Sequence, residues 1–476
     1  MKYTLYNIMF SLFSLTLSIN YTNAQDIEKR VLNPEAFLEI IRLYHPIAKQ
    51  SELVNDIAKA NLRVARGGWD PKIYSNYDTK NYEGENYYNY FENKVSIPVW
   101  YGLEIKGTYD FISGTRVNPE SKIPNEGLGA LGITLPIGRN LFLDKQRATL
   151  FQARIFQEAS KQQQLEMLND LFLNALVDYY NWSLSYQSLL VLENAQTIAK
   201  TRYLAVIRSS ILGDRPSIDT VEALTQLQNR QIQLANAKLN FNNTSLELSN
   251  YLWMENKIPL PFDPNLVPAI LNSDFLNMQI DLSKMEEMIS NLEQNQPAIV
   301  NNKLKTQSLE LNRRLQTEEL KPVINLNYNA LRQQFNFNEN NINNLNNNYK
   351  LGFNFYMPLT FAEGRAKVKI ANLEIKNNQY IFDQKLQEFT NKIKAAFNEL
   401  LILQSQTKLY SETTNSFKQL FDGETIRFRN GESSLFLVNN RENQFLDAQL
   451  KLAEFQSKYY QTEAKLKWAA GTISVE

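Results

Sequence analysis

Residues 133–155 read ITLPIGRNLFLDKQRATLFQARI, and residues 355–375 read FYMPLTFAEGRAKVKIANLEI. In each, a short strand-like run ends on a proline (Pro136, Pro358). A helix-forming run rich in Ala, Lys, Arg and Gln follows. The likeness continues downstream, where AVIRSSILGDRPSIDTVEA (205–223) answers ETIRFRNGESSLFLVNN (424–440). Gly213 lies 77 residues beyond Pro136, and Gly431 lies 73 beyond Pro358, a difference of about one helical turn. The chain is a duplicated unit rather than two unrelated domains.

The long runs between those landmarks carry coiled-coil spacing. Leu165, Leu168, Phe172, Ala175, Tyr179, Trp182, Tyr186 and Leu189 alternate steps of three and four. Phe382, Leu386, Phe389, Ile393, Ala396, Leu400, Leu403, Thr407 and Tyr410 do the same in the second half. Such stripes without Gly or Pro call for a packed seam, and nothing in them resembles a cofactor site. At ~1.5 Å per residue each stretch reaches ~110 Å if helical throughout, so the molecule is expected to be a rod. Gly213 and Gly431 stop the long helices, and further amphipathic helices follow over about 217–253 and 434–470. Each half is then a helical hairpin with its turn at the far end.

Strand patterning lies between the helices. Leu103, Ile105, Tyr109 and Phe111 alternate with Glu104, Lys106, Thr108 and Asp110. Residues 324–330 and 351–357 keep the same period of two. A sheet with one apolar and one polar face suits a membrane barrel or a half-buried soluble sheet. The aromatic density of 73–111 leans toward the girdles of a barrel. Pro98 to Gly102 reads as a turn, and 336–348, with nine Asn in thirteen residues, as an exposed disordered loop. From Pro71 to Pro136 is 65 residues, against 36 from Pro322 to Pro358. The surplus is enough for one more hairpin, roughly 88–112, which either adds barrel strands or folds outside the membrane.

Composition narrows the function. The chain has 476 residues, 50 Lys+Arg against 50 Asp+Glu, one His and no Cys. Charge balance argues against a nucleic-acid partner. The lack of Cys excludes disulfides, thiolate zinc sites and Cys nucleophiles, and one His leaves no His-rich metal centre. No catalytic, cofactor-binding or metal residue is assigned, and an enzyme is not expected. A mean hydropathy of -0.40 is too polar for a bundle of spanning helices but not for a β-barrel. Residues 1–24 have a Lys, an apolar stretch and a Thr22-Asn23-Ala24 end, the pattern of a signal peptide cleaved after Ala24.

Taken in order, these features resemble the TolC-like outer-membrane efflux protein family. The opening run from Leu32 to Ile73 is similar to that family's first hairpin, with His45-Pro46 at its bend and Ala65-Arg66-Gly67 ahead of Asp70-Pro71. "LPI" at 135–137 and "MPL" at 357–359 match the family's strand-end proline. The resemblance spans nearly all of residues 30–471. It implies an α+β membrane protein with two structural repeats per subunit: a homotrimeric outer-membrane β-barrel continued by a periplasmic α-helical coiled-coil barrel. The expected segments are 25–70 (first helical hairpin), 71–136 (first β segment), 137–253 (first long hairpin), 254–321 (linker and helical hairpin), 322–358 (second β segment), 359–471 (second long hairpin) and a tail, 472–476. The implied partners are a periplasmic adaptor protein, an inner-membrane pump and outer-membrane lipid. The implied function is the exit duct of an efflux or type I secretion system. The competing expectation, an exported coiled-coil structural or adhesive protein, explains the heptads but not the alternating strands or the repeat.

The family places adaptor docking and tunnel closure at the far turns. That assigns Arg208, Gly213, Asp214, Arg427 and Gly431 to the docking tip, and Asp219, Ser433, Leu437 and Asn440 to the tunnel constriction. Gly213, then Asp219 six later and Ala223 four after that, matches the family's first-half pattern. The glycines also serve as plain helix ends, and Asp219 reads equally as a helix N-terminal charge. In the second half this chain departs from the family. Leu437 and Asn440 stand where many members carry two Asp, and Phe428 and Ser433 where Tyr and Arg tie that turn to the first-half Asp. The acidic ring and its salt-bridge lock are expected to be absent. Three smaller features read as unremarkable: His45 as a surface or cap residue, the basic run 139–147 as a solvated helix start, and Glu-rich 286–293 as an exposed helix face.

Overall fold

The structure, a computed structural model, describes residues 29–261, 263–278, 280–333 and 347–473. The expected signal peptide, most of the Asn-rich stretch and the last three residues lie outside them.

Strand β1 (Arg30–Leu32) leads into α1 (Pro34–Tyr44) and α2 (Pro46–Arg66). Both helices start with proline, whose missing N–H is no loss in a first turn. Four strands follow: β2 (Lys72–Tyr82), β3 (Glu85–Pro98), β4 (Glu104–Ser113) and β5 (Leu128–Pro136). Then come the 67-residue α3 (Lys145–Ile211) and the 33-residue α4 (Ser217–Ser249). A short hairpin of β6 (Trp253–Met254) and β7 (Ile258–Pro259), and then β8 (Leu266–Pro268), open the second repeat. Its helices are α5 (Leu282–Ser290), α6 (Leu292–Asn295) and α7 (Pro297–Glu318). Strands β9 (Val323–Arg332) and β10 (Tyr349–Tyr356) precede the 68-residue α8 (Ala362–Arg429) and the 36-residue α9 (Leu435–Ala470).

α3 and α8 are each about 100 Å long, and both fall back on themselves through a tight turn. The heptad stripes are the seams. Phe172, Ala175, Tyr179, Trp182, Tyr186 and Leu189 are buried in α3, as are Phe389, Ile393, Ala396, Leu400, Leu403 and Thr407 in α8. Phe172, Ala175, Tyr179 and Trp182 pack in one core with Phe37, Ile41 and Leu248, and Phe389 to Leu403 in another with Leu292, Ile299 and Tyr459. The two cores sit at mid-length, where the short helices wrap the long ones. β1 and β8 pair in parallel there, so equivalent segments of the two repeats meet.

All six long strands form one antiparallel sheet in the order β10-β9-β5-β4-β3-β2. The extra segment of the first repeat joins this sheet: β3 pairs with β4 from Asn89↔Ser113 to Pro98↔Glu104. The start of β2, the β3–β4 turn, the end of β5, the start of β9 and the end of β10 all lie at the helical end. The β3–β4 turn is made by Trp100–Gly102, with Tyr101 and Gly102 in the left-handed region.

Of the two roles expected for His45 the structure shows the cap: the residue is buried, and its Nδ1 caps α2 by accepting from the Ile47 N–H at 3.2 Å. One minor expectation is corrected. The basic run at 139–147 is not wholly solvated. Arg147 is buried, bonded to Asp144 at 2.7 Å and to the Asn140 and Leu141 carbonyls at 2.6 and 3.1 Å. A buried guanidinium needs such partners, and the loop before α3 supplies them.

Candidate functional site: a two-faced sheet and tied helical tips

One face of the sheet is apolar and bare. Ile73 and Tyr77 (β2), Phe91 and Val95 (β3), Tyr109 and Phe111 (β4), Leu131 and Ile133 (β5), Tyr328 (β9), and Leu351, Phe353 and Phe355 (β10) are all exposed on it. The other face carries Lys94, Glu104, Lys106, Asp110, Thr134, Asn325 and Asn327. Lys106 lies 3.0 Å and Lys94 3.5 Å from Glu104, and Thr134 donates to Asn327 at 2.7 Å. Rows of paired residues keep this division across all six strands. Ile73, Val95, Gly107, Leu131, Ala330 and Tyr349 form an apolar row; Lys72, Ser96, Lys106, Gly132, Asn329 and Lys350 a polar one. Trp69 and Trp100 stack at 5.4 Å at the helical end of the sheet, where an interfacial aromatic belt belongs. An apolar face this extensive has no place in water, and a sheet wet on one side only divides lipid from lumen.

At the opposite end of the molecule the two long helices stop in the same way. Gly213 has φ +82° and Gly431 φ +79°, a region closed to most side chains. The Asp214 N–H donates to the Ser209 carbonyl at 2.9 Å and the Gly213 N–H to Ser210 at 3.1 Å. Glu432 donates to Arg427 at 2.9 Å and Gly431 to Phe428 at 3.2 Å. Both are Schellman turns, which satisfy the last helical carbonyls. Arg208, Asp214 and Arg427 are exposed around these turns, as are Ile211, Leu212, Ile218 and Phe436. Ser434 caps α9 through the Leu437 N–H at 3.4 Å, leaving Leu437 and Asn440 exposed one turn apart. Ser433 instead bonds Glu424. A groove of about 440 Å³ runs between α4 and α9, lined in part by Ile218, Val221, Phe436 and Asn440.

Neither Phe428 nor Ser433 forms an ion pair with Asp219, but a tie of another kind joins the two turns. Asp219 lies 3.6 Å from Arg215, and the Arg215 guanidinium sits 3.7 Å from the centre of the Phe428 ring while donating to the Phe428 carbonyl at 2.9 Å. The tie from the first turn to the second is thus cation–π plus hydrogen bond, with its arginine on the first turn. A second tie lies deeper. Buried Glu442 of α9 pairs with Arg202 of α3, and with Arg230 of α4 at 3.6 Å. Asn439 accepts from Arg202 and donates to Glu222, both at 2.9 Å, and Asn443 accepts from Gln226 at 3.2 Å and from Arg230. The sequence reading missed Arg202, Arg215, Arg230 and Glu442. Charged residues interrupting the apolar stripes near a turn were the available signal.

No group of three or more His, Asp or Glu able to hold a metal occurs among the described residues. No helix among them is long and apolar enough to cross a membrane.

Residues 288–472, essentially the second repeat, match the family profile described as outer membrane efflux protein. The whole chain superposes on solved outer-membrane channels. It covers 97% of its length and 94% of the CmeC outer membrane channel of Campylobacter jejuni, with a TM-score of 0.63 at 15% identity. Against the MtrE outer membrane channel of Neisseria gonorrhoeae, in its open state, the coverages are 92% and 89%, the TM-score 0.65 and the identity 14%. The outer membrane protein VceC of Vibrio cholerae gives 92% and 96%, 0.64 and 12%. The fold of the chain is that of these outer-membrane channels, and its residues 288–472 resemble the outer membrane efflux proteins. No curated protein matches it in sequence. As in those channels, a sheet lies at one end of the long helical hairpins and their turns at the other.

Proposed function

We propose that three copies of the chain form the exit duct of a tripartite efflux or type I secretion system. In this reading 71–136 and 322–358 build the barrel, 137–253 and 359–471 build the tunnel, and 25–70 and 254–321 wrap its middle. The observation that carries it is the six-stranded sheet, apolar on one face and polar on the other, with β2 and β10 each leaving one edge unpaired. Open edges are not tolerated in hydrocarbon, so one subunit is incomplete by itself. The helices support the same need. Ile232, Leu239 and Leu246 form an exposed stripe at heptad spacing on α4, and Ile402 and Leu409 another on α8. Stripes of that period are covered by neighbouring helices.

The duct reading assigns the protein no chemistry of its own: cargo arrives from an inner-membrane pump through a periplasmic adaptor. Arg208, Gly213, Asp214, Arg427 and Gly431 would meet the adaptor at the exposed tips. Asp219, Ser433, Leu437 and Asn440 would line the narrow end, with Leu437 closing it by excluding water. Electron microscopy of the detergent-purified protein tests the assembly. Three-fold hollow particles well over 100 Å long are expected; short, solid or unclosed particles would overturn the reading.

A further inference from the structure

We infer that the barrel of the assembled protein is a ring of eighteen strands, sealed between copies by β2 of one subunit lying antiparallel to β10 of the next. This rests on the three-copy reading above and adds to it the partner edge, its register rule and the width of the pore.

The six strands alternate direction without a break, and the two edge strands run oppositely: β2 leaves the helical end, whereas β10 returns to it. A second copy placed beside the first by rotation therefore brings β10 against β2 in the antiparallel sense of every other pair. Such a head-to-tail contact closes into a ring when the rotation allows. The edges also match in extent, 11 residues in β2 against 8 in β10.

The β2–β3 hairpin belongs to the wall and is not an appendage. It is laddered to β4 over ten residue pairs. Its side chains keep the face alternation of the other four strands, with Ile73 and Val95 continuing the apolar row and Lys72 and Ser96 the polar one. Six strands from each of three copies then make the ring. A ring of 16–18 strands encloses an aqueous channel, whereas about eight is filled by side chains. The barrel is therefore a wide pipe, and any sorting of cargo by size falls to the helical tips.

The faces also restrict the seam register. Odd-numbered residues of both β2 (Ile73, Ser75, Tyr77) and β10 (Leu351, Phe353, Phe355) stand on the apolar face, so odd must oppose odd. The natural chain has no Cys, which makes a disulfide scan free of background. Ser75→Cys is combined in the full-length protein with Leu351→Cys, Phe353→Cys or Phe355→Cys, and with Asn354→Cys as the wrong-face control. After mild oxidation, at least one odd–odd pair should convert the monomer band into covalent dimer and trimer that collapse on reduction; the control pair should not.

Crosslinking of Tyr109→Cys on β4 to the same β10 positions would overturn the inference, because β4 would then be the edge and the ring would hold twelve strands. Trimers with no crosslink from either strand would also overturn it. Mass in detergent is measured alongside. A monomer there sinks the three-copy reading itself, while a trimer with the wrong crosslinks sinks only the seam. Counting strands in a cross-section of the unmodified particle, eighteen against twelve, decides the point without any substitution.

Discussion

The guanidinium of Arg215, two residues past the first helical turn, lies over the ring of Phe428 in the last turn of α8, 3.7 Å from its centre. One side chain thus joins the tips of both hairpins, and it also faces Asp219. Separation of the tips would have to break this contact, because the residues belong to different repeats.

Arg215→Ala should therefore loosen the tip. A cation–π contact is worth about 0.5–2 kcal/mol, and the hydrogen bond to the Phe428 carbonyl goes with it. In planar bilayers the variant should conduct several times better than the parent, with a thermal midpoint only slightly lowered. Arg215→Lys keeps the charge but loses the planar stack, and should fall between the two. Equal conductance for all three proteins would rule out a gating role.

Glu442 is buried between Arg202 and Arg230. Glu442→Gln leaves two guanidinium groups with no opposing charge, which costs about 3–5 kcal/mol in a buried site. A clear fall in the thermal midpoint by calorimetry is expected. Replacing all three residues with apolar ones of similar size (Arg202→Met, Arg230→Met, Glu442→Leu) should recover most of it, since the desolvation penalty disappears with the charges. Failure of the triple variant to improve on Glu442→Gln would refute this account.

Leu437 stands at the second tip, exposed, where an apolar ring would exclude water from the narrow end. Leu437→Ser should raise single-channel conductance. Unchanged conductance in that variant would sink the proposal.

His45 predicts a pH dependence away from the tips. Burial lowers its pKa below the ordinary 6.5, against a raising contribution from its hydrogen bond to the Asn250 backbone. The fold therefore holds the neutral ring, whose Nδ1 accepts from the Ile47 N–H at the positive end of α2. Above pH 6.5 the group is neutral folded or unfolded and adds no slope. Below it the unfolded chain takes up a proton that the folded chain refuses, so stability falls as pH drops. His45→Asn keeps a capping side chain without the titration. Its thermal midpoint should fall less than that of the parent between pH 7 and pH 5; parallel curves would count against the assignment.

Much of this was legible in the chain. The strand–Pro–helix sequence recurs at Pro136 and Pro358, and the heptads from Phe172 to Leu189 and from Phe389 to Thr407 became the buried seams. Gly213 and Gly431 became matching left-handed turns because a helix end that needs φ near +80° strongly selects glycine. Periodicity and backbone sterics act over a few neighbouring residues, so they can be read without the fold. The tip network could not be. Arg202 and Glu442 are 240 residues apart in sequence, and either one alone looks like an ordinary solvated charge on a helix. Nor could the partner of Phe428 be read locally: it is Arg215 of the first turn, while Ser433, at the equivalent place in the second, bonds Glu424.

The repeat, the rod, the alternating strands and the positions of both turns all follow from local spacing along the chain. Entry of the surplus hairpin into the sheet, making six strands with β2 and β10 at the edges, became visible in the folded chain. The tertiary structure also showed that Arg215, and not a residue of the second turn, joins the tips. Both depend on which distant segments meet. A strand's pattern says which face it buries but not its neighbours, and a charge finds its partner only when packing has brought the two within reach.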